Sequence, residues 1–299
     1  MNSIKIASFY SSNKMNIVLV SAGTFQEYIL TNIKQLLRLQ HDSRSIYVIT
    51  DKAFFVRFSE YSGINLIATE SLTDTYIDRY NENAFTDREW FRDGFWRLTS
   101  ARFFYIRALM QRDNLRNVIH LENDVPIYYN CNTLSGLLDE TKMYMPFDAY
   151  QRNIASIVYI PNAIILGRVL DHYNIQMNDM ENFAIIRQHS PELIDNLPIF
   201  KNQASLTDEQ QYVCRNFDKF NIIFDGAAIG QYLGGIDPRN MPGDTTGFIN
   251  ETCVIKYNEY KLYWLTGDDK VSRPFIEIDG ISVPIFNLHI HSKNLERFV

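Results

Sequence analysis

The sequence predicts an α/β protein whose mostly parallel sheet is covered on both faces. Two observations carry this. Continuous apolar runs of strand length alternate with longer segments of helical spacing, the pattern of βα units. Polar or acidic residues close several of those runs, at the strand ends where such sheets bind ligands. The composition agrees, since 299 residues at 46% hydrophobic and 21% charged suit a well-cored globule. A prior of roughly 150 residues per domain allows one large unit or two small ones. No repeat, low-complexity tract or linker divides the chain, so one domain is expected over 1–299, with its core from about residue 16.

Asn16-Ile17-Val18-Leu19-Val20-Ser21 is the first buried strand. It passes through Ala22-Gly23-Thr24 into a helix over 27–39. Strands over 45–51 and 64–68 follow. A helix is predicted over 94–110, where Arg102 interrupts the apolar stripe of Leu98, Tyr105 and Leu109. A guanidinium on a core-facing arc must be paired, because unpaired buried charge is costly. Its partner is either an acid on a neighbouring element or a diphosphate or metal-site carboxylate. A strand over 118–125 then runs into Glu122-Asn123-Asp124 and stops at Pro126.

Beyond it, the pattern gives a short helix over 131–138, strands over 143–147 and 154–159, and helices over 164–173 and 180–194. A polar stretch over 201–211 is either a cover for the site or a surface loop. A strand over 220–224 ends in Asp225, and a short helix occupies 226–233. Segments 274–278 and 281–290 flank Asp279-Gly280, a two-residue hairpin signal that gives the fold a β-rich C-terminal edge.

Three stretches carry chemistry. In an extended backbone Glu122 and Asp124 point the same way, and two such carboxylates repel unless a cation lies between them. Mg²⁺ and Mn²⁺ take oxygen ligands and leave positions open for phosphates. On a surface loop the same triplet would be a solvated turn; here it follows a buried run. In Asn287-Leu288-His289-Ile290-His291-Ser292-Lys293, alternate residues put His289, His291 and Lys293 on one face. A neutral imidazole completes a metal shell and a Lys neutralises phosphate; the plain alternative is a pair of satisfied polar residues. The third stretch holds Asp225 with glycines at 226, 230 and 234. It reads either as a helix with glycines for tight contact or as an open pocket where Asp225 grips sugar hydroxyls. The spacing is not that of a dinucleotide loop, and P-loop, nucleophile-elbow and HExxH motifs are absent from the sequence.

Other features narrow the class. A net charge of −6 argues against nucleic acid as main partner. Apolar runs stay far below the roughly 20 residues of a membrane helix. Met1-Asn2-Ser3-Ile4-Lys5 does not open a secretory leader, and Cys131, Cys214 and Cys253 lack any CxxC spacing, so the chain reads as soluble, intracellular and reduced. Trp90 and Trp96 read as core residues.

The acidic triplet at a strand end, the N-terminal βα unit and the terminal His-x-His-x-Lys together resemble the nucleotide-sugar-dependent glycosyltransferases of the A-type (GT-A) fold. The stretch 224–237, with His-Leu-Glu-Asn-Asp-Val and His-Ile-His-Ser-Lys, is similar to glycosyltransferases of giant DNA viruses and some bacteria. That likeness implies a GT-A-like α/β/α sandwich, a host-cytoplasmic location if the chain is viral, and a Mn²⁺ or Mg²⁺ cofactor. It places Glu122 and Asp124 on the metal, His289 or His291 as the distal ligand (His291 preferred, since Ser292 and Lys293 follow it), and Lys293 at the diphosphate. Asp51 matches the acid that contacts the nucleoside, and Ala22, Thr24, Asn123 and Arg102 complete the donor-binding set. Glu stands where the family usually has the first Asp of the triplet. The implied reaction moves a sugar from a UDP- or GDP-sugar to the hydroxyl of a glycan, protein or small molecule. An inverting course would use Asp225 or Asp237 as base; the His-to-Lys ending resembles retaining families more. A sugar-1-phosphate nucleotidyltransferase and a non-catalytic sugar-binding module are the rival readings. The first normally carries a Gly-rich basic loop that 21–25 lacks.

Overall fold

Four parallel strands make the half of the sheet that carries the N-terminal βα units: β1 (Asn16–Ser21), β2 (Ile46–Thr50), β3 (Asn65–Ala68) and β4 (Val118–Leu121), in the spatial order β3-β2-β1-β4. Beyond β4 the sheet turns mixed. β5 (Met143–Ala149), β6 (Arg152–Asn153), β7 (Ile157–Ile160) and β8 (Ile194–Leu197) complete it, with β7 antiparallel between β4 and β5, and β8 parallel to β5. A computed structural model describes residues 14–83, 94–239 and 247–299; Trp90 and the first five residues lie outside the described residues.

Alternation along the strands divides the interior in two. Ile17, Leu19, Ile119 and Leu121 meet Ile29, Ile33 and Leu36 of α1 (Tyr28–Arg38) on one face. Val18, Val118 and Val158 meet the opposite layer, in which α2 (Thr75–Asn83) and α3 (Phe95–Arg112) pack with α4 (Ala163–Asp171) and α5 (Asp179–His189). Each buried Ile or Leu contributes about 2 kcal/mol to that packing. Three of the helices start where the sequence supplies a side-chain cap. Asn162 accepts from the amides of Ile164 and Ile165, Asn178 from Glu181, and Thr207 forms a capping box with Gln210 at α6 (Asp208–Cys214).

The predicted α/β class and mostly parallel N-terminal sheet are therefore present, with differences in detail. The C-terminal hairpin is not an edge of the main sheet; β9 (Lys261–Thr266), β10 (Ser272–Ile278) and β11 (Ile281–Pro284) form a separate antiparallel one. Asp279 and Gly280 both have positive φ, the primed-turn geometry their types predict. The second arm ends at Pro284 rather than at 290. The run over 220–224 is not a strand, because its first residue closes α7 (Phe217–Phe220) and only Ile223 bridges to Ile285. The helix predicted over 180–194 ends at His189, and Ile194 opens β8. Residues Cys131–Leu134 form a 3₁₀ turn instead of a helix to 138.

β1 has β2 on one side and β4 on the other, so the connections leaving its end diverge and open a crevice there. β5 runs in the same direction as β4, because β7 between them is antiparallel to both. The carboxyl edge of the sheet thus carries, in spatial order, Asp51, the 22–24 loop, the 122–124 triplet and Asp148.

Candidate active site

The acidic triplet is not strand. β4 ends at Leu121, and the amide of Val125 donates to the carbonyl of Glu122 to close a turn. The two carboxylates still converge, but through turn geometry rather than strand alternation. The turn is held from α1, where Asn32 and Gln35 interrupt the buried apolar stripe. Asn32 donates to the carbonyl of Val125 at 3.1 Å and Gln35 to that of Ile127 at 2.9 Å. Asn123 faces the other way, donating to the Val20 carbonyl and to Gln26; it ties the turn to the end of β1.

The end of the chain crosses this turn. The amides of Leu288 and Ile290 donate to the carbonyls of Pro126 and Asp124. His289 consequently lies under both carboxylates, its Nε2 at 3.0 Å from Glu122 Oε2 and 3.5 Å from Asp124 Oδ2. Its Nδ1 lies 2.6 Å from the carbonyl of Gly226 and donates to it. That outer hydrogen bond directs Nε2 at the acids, as it does in metal-binding histidines. One ligand atom from each of Glu122, Asp124 and His289 falls within 4.8 Å of the others. Burial alone would lower the His289 pKa, yet Asp124 and Glu122 outweigh it and raise it. Asp124 is held well below the usual carboxylate range: burial opposes this, and Lys293 with His289 overcomes it.

Lys293 forms an ion pair with Asp124, and its Nζ lies 3.8 Å from Asp237. Its φ is +65°, a left-handed conformation costing an L residue about 1 kcal/mol. The turn closed by its amide on the Ile290 carbonyl keeps it there and returns the side chain over the carboxylates. Asp237 also accepts from the amide of Arg239 at 2.8 Å.

Arg102 meets two acids at once, one in the triplet and one on a neighbouring helix. It pairs with Glu122 and places Nη2 2.7 Å from Asp179 Oδ2, with only 7% of the residue exposed. It is a buried strut between a site carboxylate and α5. Asp179 has no signal in the sequence beyond its place in the first turn of a helix. Burial raises its pKa, against Arg102.

Asp225 corrects the open-pocket reading. Its carboxylate is 1% exposed and accepts from the amides of Ile229, Gly230 and His289 at 3.0, 2.7 and 2.9 Å. Both oxygens are committed to backbone, so it positions α8 (Ala228–Gly234) and the terminal segment rather than a substrate hydroxyl. The glycine stripe serves the same contact, since a Cβ on Gly230 would lie 2.0 Å from the His289 carbonyl oxygen. Of the two histidines, the one that lies at the acids is His289 and not the preferred His291. His289 reaches the acids, while His291 packs edge-on against it with ring centroids 4.1 Å apart and pairs with Gln231. Burial, His289 and Lys293 hold the His291 pKa well below its usual value.

On the nucleotide side, Asp51 accepts from the amide of Gly23 at 2.9 Å and from Thr69 at 2.7 Å, fixing the loop that holds Ala22 and the exposed Thr24. Leu98 packs over Gly23, and a cleft of about 400 Å³ runs beside it along Arg97, Ala101 and Tyr105. On the other side of the triplet, Asp148 at the end of β5 is 1% exposed. Its Oδ2 lies 3.2 Å from Asn250 Nδ2 and 3.4 Å from Arg152, and burial pushes its pKa up to about 6.

No protein-family model and no curated protein matches this sequence. Solved structures do. Mouse xyloside xylosyltransferase 1 in its apo form is 12% identical with a TM-score of 0.42, covering 62% of this chain and 85% of that one. The glycosyltransferase GlyE of Streptococcus pneumoniae TIGR4 is 17% identical at 0.39, covering 62% of this chain and 46% of GlyE. A cytidylyltransferase from Leptospira borgpetersenii is 9% identical at 0.40, covering 70% and 84%. At these values the functional reading rests on the side chains described above. No helix among the described residues is long and apolar enough to cross a membrane.

Proposed function

We propose that the protein is a metal-dependent glycosyltransferase that moves a sugar from a nucleoside diphosphate sugar to an acceptor hydroxyl. The observation that carries this reading is the convergence of Glu122, Asp124 and His289 with Lys293 beside them. Two carboxylate oxygens and one imidazole nitrogen suit Mn²⁺ or Mg²⁺, and three protein ligands leave positions for phosphate oxygens. When bound, such an ion supplies charge neutralisation to the leaving diphosphate. Lys293 adds an ammonium at the same place, and Arg102 keeps Glu122 aimed at it. The nucleoside would lie on the β1–β2 side, against the Asp51-braced loop and the cleft at Leu98. The sugar would point toward β7 and β5.

The acceptor oxygen bonds to the anomeric carbon as the bond to the diphosphate oxygen breaks. Retention is favoured by the commitment of Asp225 to backbone amides, which removes one of the two candidate bases, and by the contact of Asp237 with Lys293. The acceptor proton then passes to the departing phosphate.

The test is a panel of UDP- and GDP-sugars with Mn²⁺, followed by release of nucleoside diphosphate. Release that stops on chelation is expected. Full activity in excess chelator overturns metal dependence. Pyrophosphate formed from a nucleoside triphosphate and a sugar 1-phosphate would favour the nucleotidyltransferase instead, and binding without turnover a sugar-binding module.

A further inference from the structure

Three buried polar atoms without a hydrogen-bond partner among the described residues belong to α8 and to the segment that follows His289: Gln231 Oε1, His291 Nε2 and Ser292 Oγ. They meet where α8 packs on the terminal segment. Gln231 and Gly234 stand one turn apart on the helix, and a Cβ on Gly234 would come within 3.2 Å of Ser292 Oγ. Lys293 follows directly. Unsatisfied buried polar atoms are costly, and a cluster of them in a native site marks a place that a ligand or water fills.

The pairing of His291 limits what it can offer. Gln231 Nε2 lies 2.7 Å from His291 Nδ1 and donates to it. An imidazole that accepts at Nδ1 carries its proton on Nε2, and a protonated nitrogen has no lone pair for a metal. The group that His291 offers is therefore an N–H, and the Ser292 hydroxyl and the Lys293 ammonium follow it in the chain. Two donors and an ammonium suit an anion with several acceptor oxygens.

Resting on the transferase reading above, we propose that His291 is a hydrogen-bond donor to a phosphate oxygen of the leaving diphosphate, with Gln231 as the positioning residue that keeps the proton on Nε2. His289 and His291 then share one segment but not one task. His289 faces the cation and His291 the anion. A donor aimed at charge that grows as the bond breaks contributes more in the transition state than in the ground state.

The test uses the full chain with ¹⁵N-labelled histidine. Two-bond correlations, with the His291 signals identified by their absence from His291→Ala, should show Nε2 protonated and Nδ1 bare; in Gln231→Leu the ring should report both tautomers. Titration with Mn²⁺ alone should give His291→Ala the wild-type affinity within about twofold, whereas His289→Ala loses at least about tenfold. Titration with UDP and with GDP at saturating Mn²⁺ should show His291→Ala weakened about tenfold, and turnover should fall about a hundredfold. His291→Gln, whose amide N–H reaches the Nε2 position, should recover much of both. A His291 ring protonated at Nδ1, a loss of Mn²⁺ affinity in His291→Ala matching that of His289→Ala, or unchanged nucleotide affinity overturns this assignment alone. A wild-type protein that binds neither nucleotide with Mn²⁺ overturns the transferase reading and this one with it.

Discussion

Two acidic regions hold the same histidine, and they do so in opposite ways. At the 122–124 turn, the Glu122 and Asp124 carboxylates face side chains: the Nε2 of His289, the guanidinium of Arg102 and the ammonium of Lys293. At residues 225–230, the Asp225 carboxylate faces backbone, accepting the amide of His289 and two amides from the first turn of α8. Side-chain cations can swing away when a substrate or metal competes for the carboxylate. Backbone amides cannot, since moving them unfolds the segment. The contrast separates an acid that can exchange partners from an acid that holds, although both are buried and both stand near the carboxyl edge of the sheet.

The largest test of that separation is Gly230→Ala. Its methyl group would fall 2.0 Å from the His289 carbonyl oxygen, and the neighbour is main chain rather than a flexible tip. The terminal segment would have to lift off α8, at a cost of at least about 3 kcal/mol. Urea unfolding should show that loss, and Mn²⁺ affinity should fall with it, because His289 travels with the segment. Near-wild-type stability would mean that the segment is not seated on α8.

The same substitution at the two kinds of acid sharpens the comparison. Asp225→Asn keeps one acceptor oxygen and turns an amide group toward backbone donors, so it should cost about 3 kcal/mol. Asp124→Asn should cost less, about 1–2 kcal/mol, because Lys293 is partly exposed and has Asp237 at 3.8 Å to turn to, and His289 keeps Glu122 at 3.0 Å. Turnover should vanish in Asp124→Asn all the same, with the melting curve nearly preserved. If Asp225→Asn is the stable, inactive variant and Asp124→Asn the unstable one, the two roles are interchanged.

Asp148 stands between these extremes, since one oxygen meets Asn250 and Arg152 while Oδ1 is buried without a partner among the described residues. Burial raises its pKa from 3.8 to about 6. A folded value above the unfolded one means that the protonated form stabilises the fold. This contribution is complete below about pH 4 and lost as the pH rises through about 6. A displacement of that size corresponds to about 3 kcal/mol when fully expressed. Asp148→Asn should therefore gain on wild type by up to that amount between pH 4 and 7, measured by urea unfolding at each pH. A constant difference between the two would place Asp148 among the acids fully satisfied in their ionised form.

Much of the fold was legible in the sequence, and the site less so, for reasons that particular residues make plain. β1, β2, β4, α1 and α3 announce themselves because strand and helix periods set which side chains are buried. β9 does not, since Lys261 to Thr266 lies on a small, half-exposed sheet where the apolar contrast is weak. The run ending at Phe224 is apolar because it is enclosed on all sides, which a strand also is, and only the hydrogen bonds distinguish them. Glu122 and Asp124 stood out because acids after a buried run need a reason. Asn32 and Asp179 act on partners 93 and 77 positions away, and no local pattern reports such contacts. The open-pocket reading of Asp225 fails because Gly-Ala-Ala reveals that side chains leave space, not that the segment bearing His289 fills it.

Arg102→Lys is the smallest perturbation and the finest probe of the division between acids that can exchange partners and acids that hold. The guanidinium spans Glu122 and Asp179 at once, and a single ammonium on a narrower stem reaches one of them. Losing a buried partner normally leaves a charge that is costly to bury. Here Asp179 has an outlet, since burial already raises its pKa and it can take up a proton instead. The fold should consequently lose only about 1–2 kcal/mol. Glu122 would lose its fixed direction even if the lysine stays beside it, so Mn²⁺ affinity should fall about tenfold, a change worth about 1.4 kcal/mol. Calorimetric titration with Mn²⁺ and thermal unfolding of the same sample decide the matter. A drop in affinity larger than the loss of stability explains makes Arg102 an orienting residue for the metal-facing carboxylate; a drop in stability with unchanged affinity makes it a strut between α3 and α5 and nothing more.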